Sequence, residues 1–155
     1  MKLIIDDGGR SAAGYKGYSG DCVTRAIAIA TGKPYQEVYD AINELSKSER
    51  PRRGKRSSSR NGVMKPTIRK YIASLGWVWY PTMGIGTGCH VHLKDGELPM
   101  GRLIVAVSRH LTAVIDGVIH DTDDPQRETA YFENNKLVRV SGRCVYGYWT
   151  APQAH

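Results

Sequence analysis

The chain has 155 residues, 41% of them hydrophobic and 24% charged, enough for one ordinary domain with its own core. No apolar run approaches the roughly 18–20 residues that span a bilayer, and "MKLIIDDGGR" has too short an apolar centre for a signal peptide, so a single cytoplasmic domain over 1-155 without a membrane partner is expected. The net charge of +7 sits mostly in "KSERPRRGKRSSSR", where seven Lys or Arg face the single acid Glu49, so an acidic partner is suggested only there.

Three cysteines, Cys22, Cys89 and Cys144, form no C-x-x-C pair. An odd count without a signal peptide predicts reduced thiols and no disulfide framework.

In chain order, Asp21 is a suitable N-cap for "CVTRAIAIAT", with Cys22, Ala26, Ile29 and Ala30 on one stripe and Gly32 at the left-handed C-terminal position. A second helix is predicted after Pro34, with Val38, Ala41, Ile42 and Leu45 inward and an end near Ser46. The basic Ser/Arg/Gly/Pro segment at about 47-62 has no apolar residue to bury and reads as a mobile loop or hairpin. "KPTIRKYIASLGW" restarts helix, with Pro66 at its start and Gly76 at its stop. From Trp77 the apolar period becomes that of strands: "WVWY", "HVHL", "RLIVAVS", "HLTAVI", "GVIHDT", "KLVRVS" and "CVYGYW". Helices first and an antiparallel sheet second make the class α+β.

Within the sheet, Asp116-Gly117 is a strong signal for a two-residue hairpin turn. Ile115 then faces Val118, and His110 comes opposite Asp123. Alternation puts His110, Asp121 and Asp123 on one face and His120 on the other. A one-residue change at the turn would hand the carboxylate or imidazole role to Asp124 or His120. An imidazole oriented by a carboxylate is what a nucleophilic thiol requires. Cys22, at a helix N-terminus where the dipole and free N–H groups favour a thiolate, supplies the thiol. The expected site is Cys22, His110 and Asp121, with Asp123 and His120 as alternative third residues.

The order of helix-borne Cys, strand-borne His and polar residue on the next strand resembles the papain-like cysteine peptidases. "GDC" and "SRHLTAVIDGVIHDTDDP" look most like the compact bacterial branches, which trim bacteriocin leaders or cleave cell-wall peptides. "GDCVTRA", "GKPYQEVY", "RNGVMKPTIRKYIASLGW" and "HLTAVIDGVIHDT" also resemble small phage and prophage proteins, a likeness that brings no substrate with it. The peptidase resemblance implies a papain-like fold, Cys22 as nucleophile, His110 as general base, Asp121 as its orienting partner, a peptide or protein substrate, no cofactor and no metal. It also implies an oxyanion donor upstream of the nucleophile. Papain has a Gln six residues before its cysteine; Lys16 stands there in this chain, leaving Lys16, Tyr18 or Ser19 as candidates.

Two further features remain. Cys89, His90 and His92 in "GCHVHLKD" are a poor tetrahedral set, because a strand would put the thiol opposite the two imidazoles. The cations Arg50, Arg52, Arg53, Lys55, Arg56 and Arg60 suit phosphate contacts or an acidic host protein, though no aromatics are interleaved for base stacking. They support the alternative of a noncatalytic binding protein.

Overall fold

The computed structural model describes residues 1–17 and 19–153, with side chains at all of these except 128–131 and 139–141. It is an α+β architecture of three helices and a six-stranded sheet, with a separate two-stranded ribbon. The helices are α1 (Cys22–Thr31), α2 (Tyr35–Ser46) and α3 (Lys65–Ser74). Gly32 closes α1 at φ 73, the left-handed cap expected of it, and Pro66 lies in the first turn of α3.

The strands of the main sheet are β1 (Lys2–Ile5), β2 (Val78–Pro81), β3 (Arg102–Val107), β4 (His110–Ile115), β5 (Val118–Asp121) and β8 (Val145–Thr150), in the order β1-β5-β4-β3-β8-β2. The ribbon pairs β6 (Glu128–Glu133) with β7 (Lys136–Ser141). Asp116 and Gly117 have φ of 49 and 77, the positive pair that a tight hairpin turn demands. Ile115 pairs with Val118 and Ala113 with His120, as the turn implies.

Two expectations about the sheet are corrected. β1 runs parallel to β5, so the sheet is mixed rather than antiparallel. "LII" is an exposed-edge strand whose partner lies more than a hundred residues away, a pairing with no local signal. "HVHL" is not a strand; His92 makes only an isolated bridge to Cys144.

The sheet separates two cores. On one face, Ile104, Leu111, Ala113 and Trp149 meet α1 through Val23, Ala26, Ile27 and Ala30, with α2 and α3 outside. On the other, Leu103, Val105, Val107, Val114, Ile119 and Val145 pack beneath Leu93. Each fully buried aliphatic side chain here stabilises the fold by roughly 1.5–3 kcal/mol relative to exposure. This alternation matters for the site: His110 opens β4 at the end of the sheet, where α1 begins.

The expectation of three reduced thiols is also corrected. Cys89 and Cys144 form a disulfide, leaving Cys22 as the free thiol. The cysteine count therefore no longer argues for a reducing compartment. No helix among the described residues is long and apolar enough to cross a membrane.

The basic segment is anchored rather than detached. Ser57 and Ser59 are buried, with the Ser59 carbonyl accepting from Thr24 Oγ1 on α1 at 2.8 Å and its N–H donating to Asn43 Oδ1 on α2 at 3.0 Å. Glu49 accepts from the Ser57 N–H at 2.7 Å and from the hydroxyls of Ser57 and Thr67. What the segment lacked in apolar side chains it replaces with satisfied polar ones.

Candidate active site

Asp21 precedes α1 but makes no side-chain cap bond, which corrects its expected role. Its carboxylate is buried and accepts from Tyr35 Oη at 2.6 Å, pairs with Arg10 Nε at 3.3 Å, and meets the Arg25 guanidinium. Arg25 extends on to Asp121, with Nη2 3.8 Å from Oδ1. A chain of charges thus runs from the start of α1 to the end of β5. Charges this enclosed persist only when paired on several sides.

His110 Nε2 lies 2.7 Å from Asp121 Oδ2, and the same oxygen accepts from Thr112 Oγ1 at 2.8 Å. The other carboxylate oxygen accepts from the Thr122 N–H at 2.7 Å. Burial raises the Asp121 carboxyl, but its bonds to His110 and Thr112 outweigh this and hold it below the ordinary carboxylate range. Nε2 being engaged, Nδ1 is the ring nitrogen left to serve the thiol.

Cys22 is partly buried at the first position of α1. Burial pushes its thiol up; the His110 imidazole, the Leu111 N–H and the charges of His110 and Arg25 pull it down further, so the net shift is downward. For His110 burial acts downward, and is outweighed by Asp121 and Cys22, which push the imidazole up to about 9. Opposite shifts in two coupled groups favour the thiolate–imidazolium form of the pair.

Both residues open onto a cleft of about 450 Å³, lined on its apolar side by Val23, Ile68, Trp79, Leu111 and Trp149. The two indoles pack with ring centroids 4.3 Å apart. Trp79 also lies over Gly147, where any added Cβ would collide with its ring.

The other expected residues fall as follows. Asp123 is exposed and lies, with Asp124, around a smaller polar cavity behind His110 and Asp121; β4–β5 pairing ends at Ala113–His120, short of the position that would set Asp123 against His110. His120 turns away, its Nδ1 3.6 Å from Asp6 Oδ2. Lys16 is exposed, and its carbonyl accepts from Arg10 and Arg60. The Ser19 hydroxyl is buried without a partner among the described residues. Neither Lys16 nor Ser19 lines the cleft, and Tyr18 lies outside the described residues. Asn61, which sequence reading missed, does line it beside Gly20 and Cys22. Its backbone is held against Gly20, whose added Cβ would lie 3.3 Å from the Asn61 carbonyl. Only tertiary anchoring of the serine turn brings it there, so no nearby spacing signals it.

Arg50, Arg52, Arg53 and Lys55 are exposed and form no ion pair among the described residues. Arg56 instead donates to the Ser46 and Lys47 carbonyls at 3.1 and 2.7 Å, closing the end of α2. The thiols of Cys89 and Cys144 are bonded to each other, and no group of three or more His, Cys, Asp or Glu among the described residues could hold a metal ion.

Comparison with family models, curated proteins and solved structures finds no match to this chain.

Proposed function

We propose that this protein is a cysteine-dependent hydrolase or acyl transferase of papain-like design, acting on an amide or peptide bond. The observation that carries the reading is the Cys22–His110–Asp121 assembly, with its thiol lowered and its imidazole raised to about 9. The Cys22 thiolate attacks the carbonyl carbon, and the oxyanion is met by the Cys22 N–H and the Asn61 carboxamide. Protonated His110 gives its proton to the departing amine as the C–N bond breaks, leaving an acyl thioester. Neutral His110 then takes a proton from water, or from an acceptor amine, which attacks the thioester and releases the thiolate. Asp121 keeps the ring oriented throughout.

The test is the pH dependence of iodoacetamide labelling at Cys22, read by mass spectrometry. Fast labelling below about pH 7 that is lost in His110→Ala is expected; a thiol behaving like a free one, near 8.5, overturns the reading.

A second reading rests on the exposed Arg50, Arg52, Arg53 and Lys55, which form no ion pair among the described residues: a noncatalytic protein that engages nucleic acid or a host protein through the basic segment. It requires that charge reversal at Arg52 and Arg53 abolish function while Cys22→Ala does not. The catalytic reading expects the converse.

A further inference from the structure

The cleft beside Cys22 carries a charge pattern that catalysis alone does not require. Its floor is apolar, formed by Ile68, Trp79, Leu111 and Trp149, while Lys65, Arg69 and Arg109 stand along it. All three cations are exposed, and none is ion-paired or hydrogen-bonded through its side chain among the described residues. Among the residues lining the cleft there is no Asp or Glu. Lys65 and Arg69 are one turn apart on α3, so they project from the same side of the helix, and the buried Ile68 reaches the same cleft. Arg109 approaches from the β3–β4 turn, immediately before His110, in the left-handed region at φ 56. A bulky residue at such a φ is uncommon and unfavourable, yet here it holds a guanidinium at the cleft wall.

We infer that the cleft selects a peptide segment that pairs a bulky apolar side chain with a neighbouring acidic residue, the apolar group lying on the indole floor and the carboxylate among Lys65, Arg69 and Arg109. The inference rests on the cleft's being the substrate site of the proposed reaction. Lys65 and Arg69 have no acid beside them in the cleft, while Arg109 stands between it and the polar cavity bordered by Asp121, Asp123 and Asp124; the charge of the α3 pair above all is left to be answered by the ligand, which favours acidic over neutral or basic partners. A peptide suits the floor better than a nucleic-acid base. Trp149 is 5% exposed and packs against the half-buried Trp79, so the two indoles together offer one apolar patch rather than the succession of separate aromatic faces on which single-strand stacking depends.

Binding is measured directly in Cys22→Ala, following the tryptophan fluorescence of the cleft, with acetyl-Glu-Phe-Gly-amide, its Gln-Phe and Lys-Phe analogues, Glu-Gly-Gly, and a short oligo-dT. The expected result is at least tenfold tighter binding of Glu-Phe than of Gln-Phe or Glu-Gly-Gly, with weakest binding by Lys-Phe. The Glu preference should vanish in Lys65→Gln/Arg69→Gln, both exposed positions whose change leaves the core untouched. Equal binding of the Glu-Phe and Gln-Phe peptides overturns the inference, as does tighter binding of the oligonucleotide. Failure of the catalytic reading is separately visible: an inert Cys22 toward iodoacetamide together with the Glu-Phe preference leaves a peptide-binding cleft without chemistry, whereas a reactive Cys22 without that preference removes the acidic selectivity alone.

Discussion

His110 is held from one side by Asp121, itself steadied by Thr112 and the Thr122 N–H, and this sets how the protein should respond to pH. The reactive form needs Cys22 ionised and His110 protonated, so kcat/KM is expected to rise through the lowered thiol value and fall as pH passes about 9, where the imidazole loses the proton owed to the leaving group. Stability follows the same group. Its folded pKa is above the unfolded value near 6.5, so its contribution is complete below that pH and lost as pH rises through about 9. Denaturant titrations at pH 6 and pH 10, compared between the wild type and His110→Ala, check this; an unchanged pH dependence in the variant contradicts it. His110 and Asp121 could be brought together from the sequence because alternation across a two-residue turn is a local rule, and Cys22 could be singled out because it opens a helix. Asn61 was not legible, since its approach to Gly20 depends on hydrogen bonds from a serine turn to α1 and α2.

Elements place these residues by packing. Strand β8 runs between β3 and β2 and carries Gly147, the residue over which the Trp79 indole lies on its way to Trp149. Gly147→Ala should therefore displace Trp79, costing about 1–3 kcal/mol through overpacking and reducing binding in the cleft while Cys22 labelling by iodoacetamide persists. Near-UV circular dichroism of the indoles and a thermal melt read the two effects; an unchanged tryptophan signal would show that the ring is not seated there. The helices were legible from their apolar spacing and terminal Pro and Gly. Strand β1 has no signal in the sequence and the 90–93 segment has a misleading one: β1 takes a distant parallel partner that no turn announces, whereas "HVHL" has a strand's alternation but is held by a crosslink instead of a ladder.

At the scale of the whole molecule, two cores share one sheet, and the disulfide lies toward the core capped by Leu93. Backbone bonds from Leu93 to Arg143 and from Val145 to Val91 flank it. Closing a loop whose ends are 55 positions apart limits the unfolded chain by about 4 kcal/mol on an entropic account. Cys89→Ser/Cys144→Ser should lower the melting temperature by several degrees, whereas Cys22→Ser should leave it within about 2 °C; equal melting of all three proteins would mean the bridge contributes nothing. The pairing itself was illegible because cysteine spacing says nothing of which two chain segments fold together.

Tyr146, two residues beyond Cys144, lines the cleft. A reducing agent therefore acts on this protein in two opposed ways, since it preserves the nucleophile yet cuts the tie that steadies one wall of the groove. Activity plotted against dithiothreitol should pass through a maximum, and the double serine variant, having no tie to lose, should rise to a plateau.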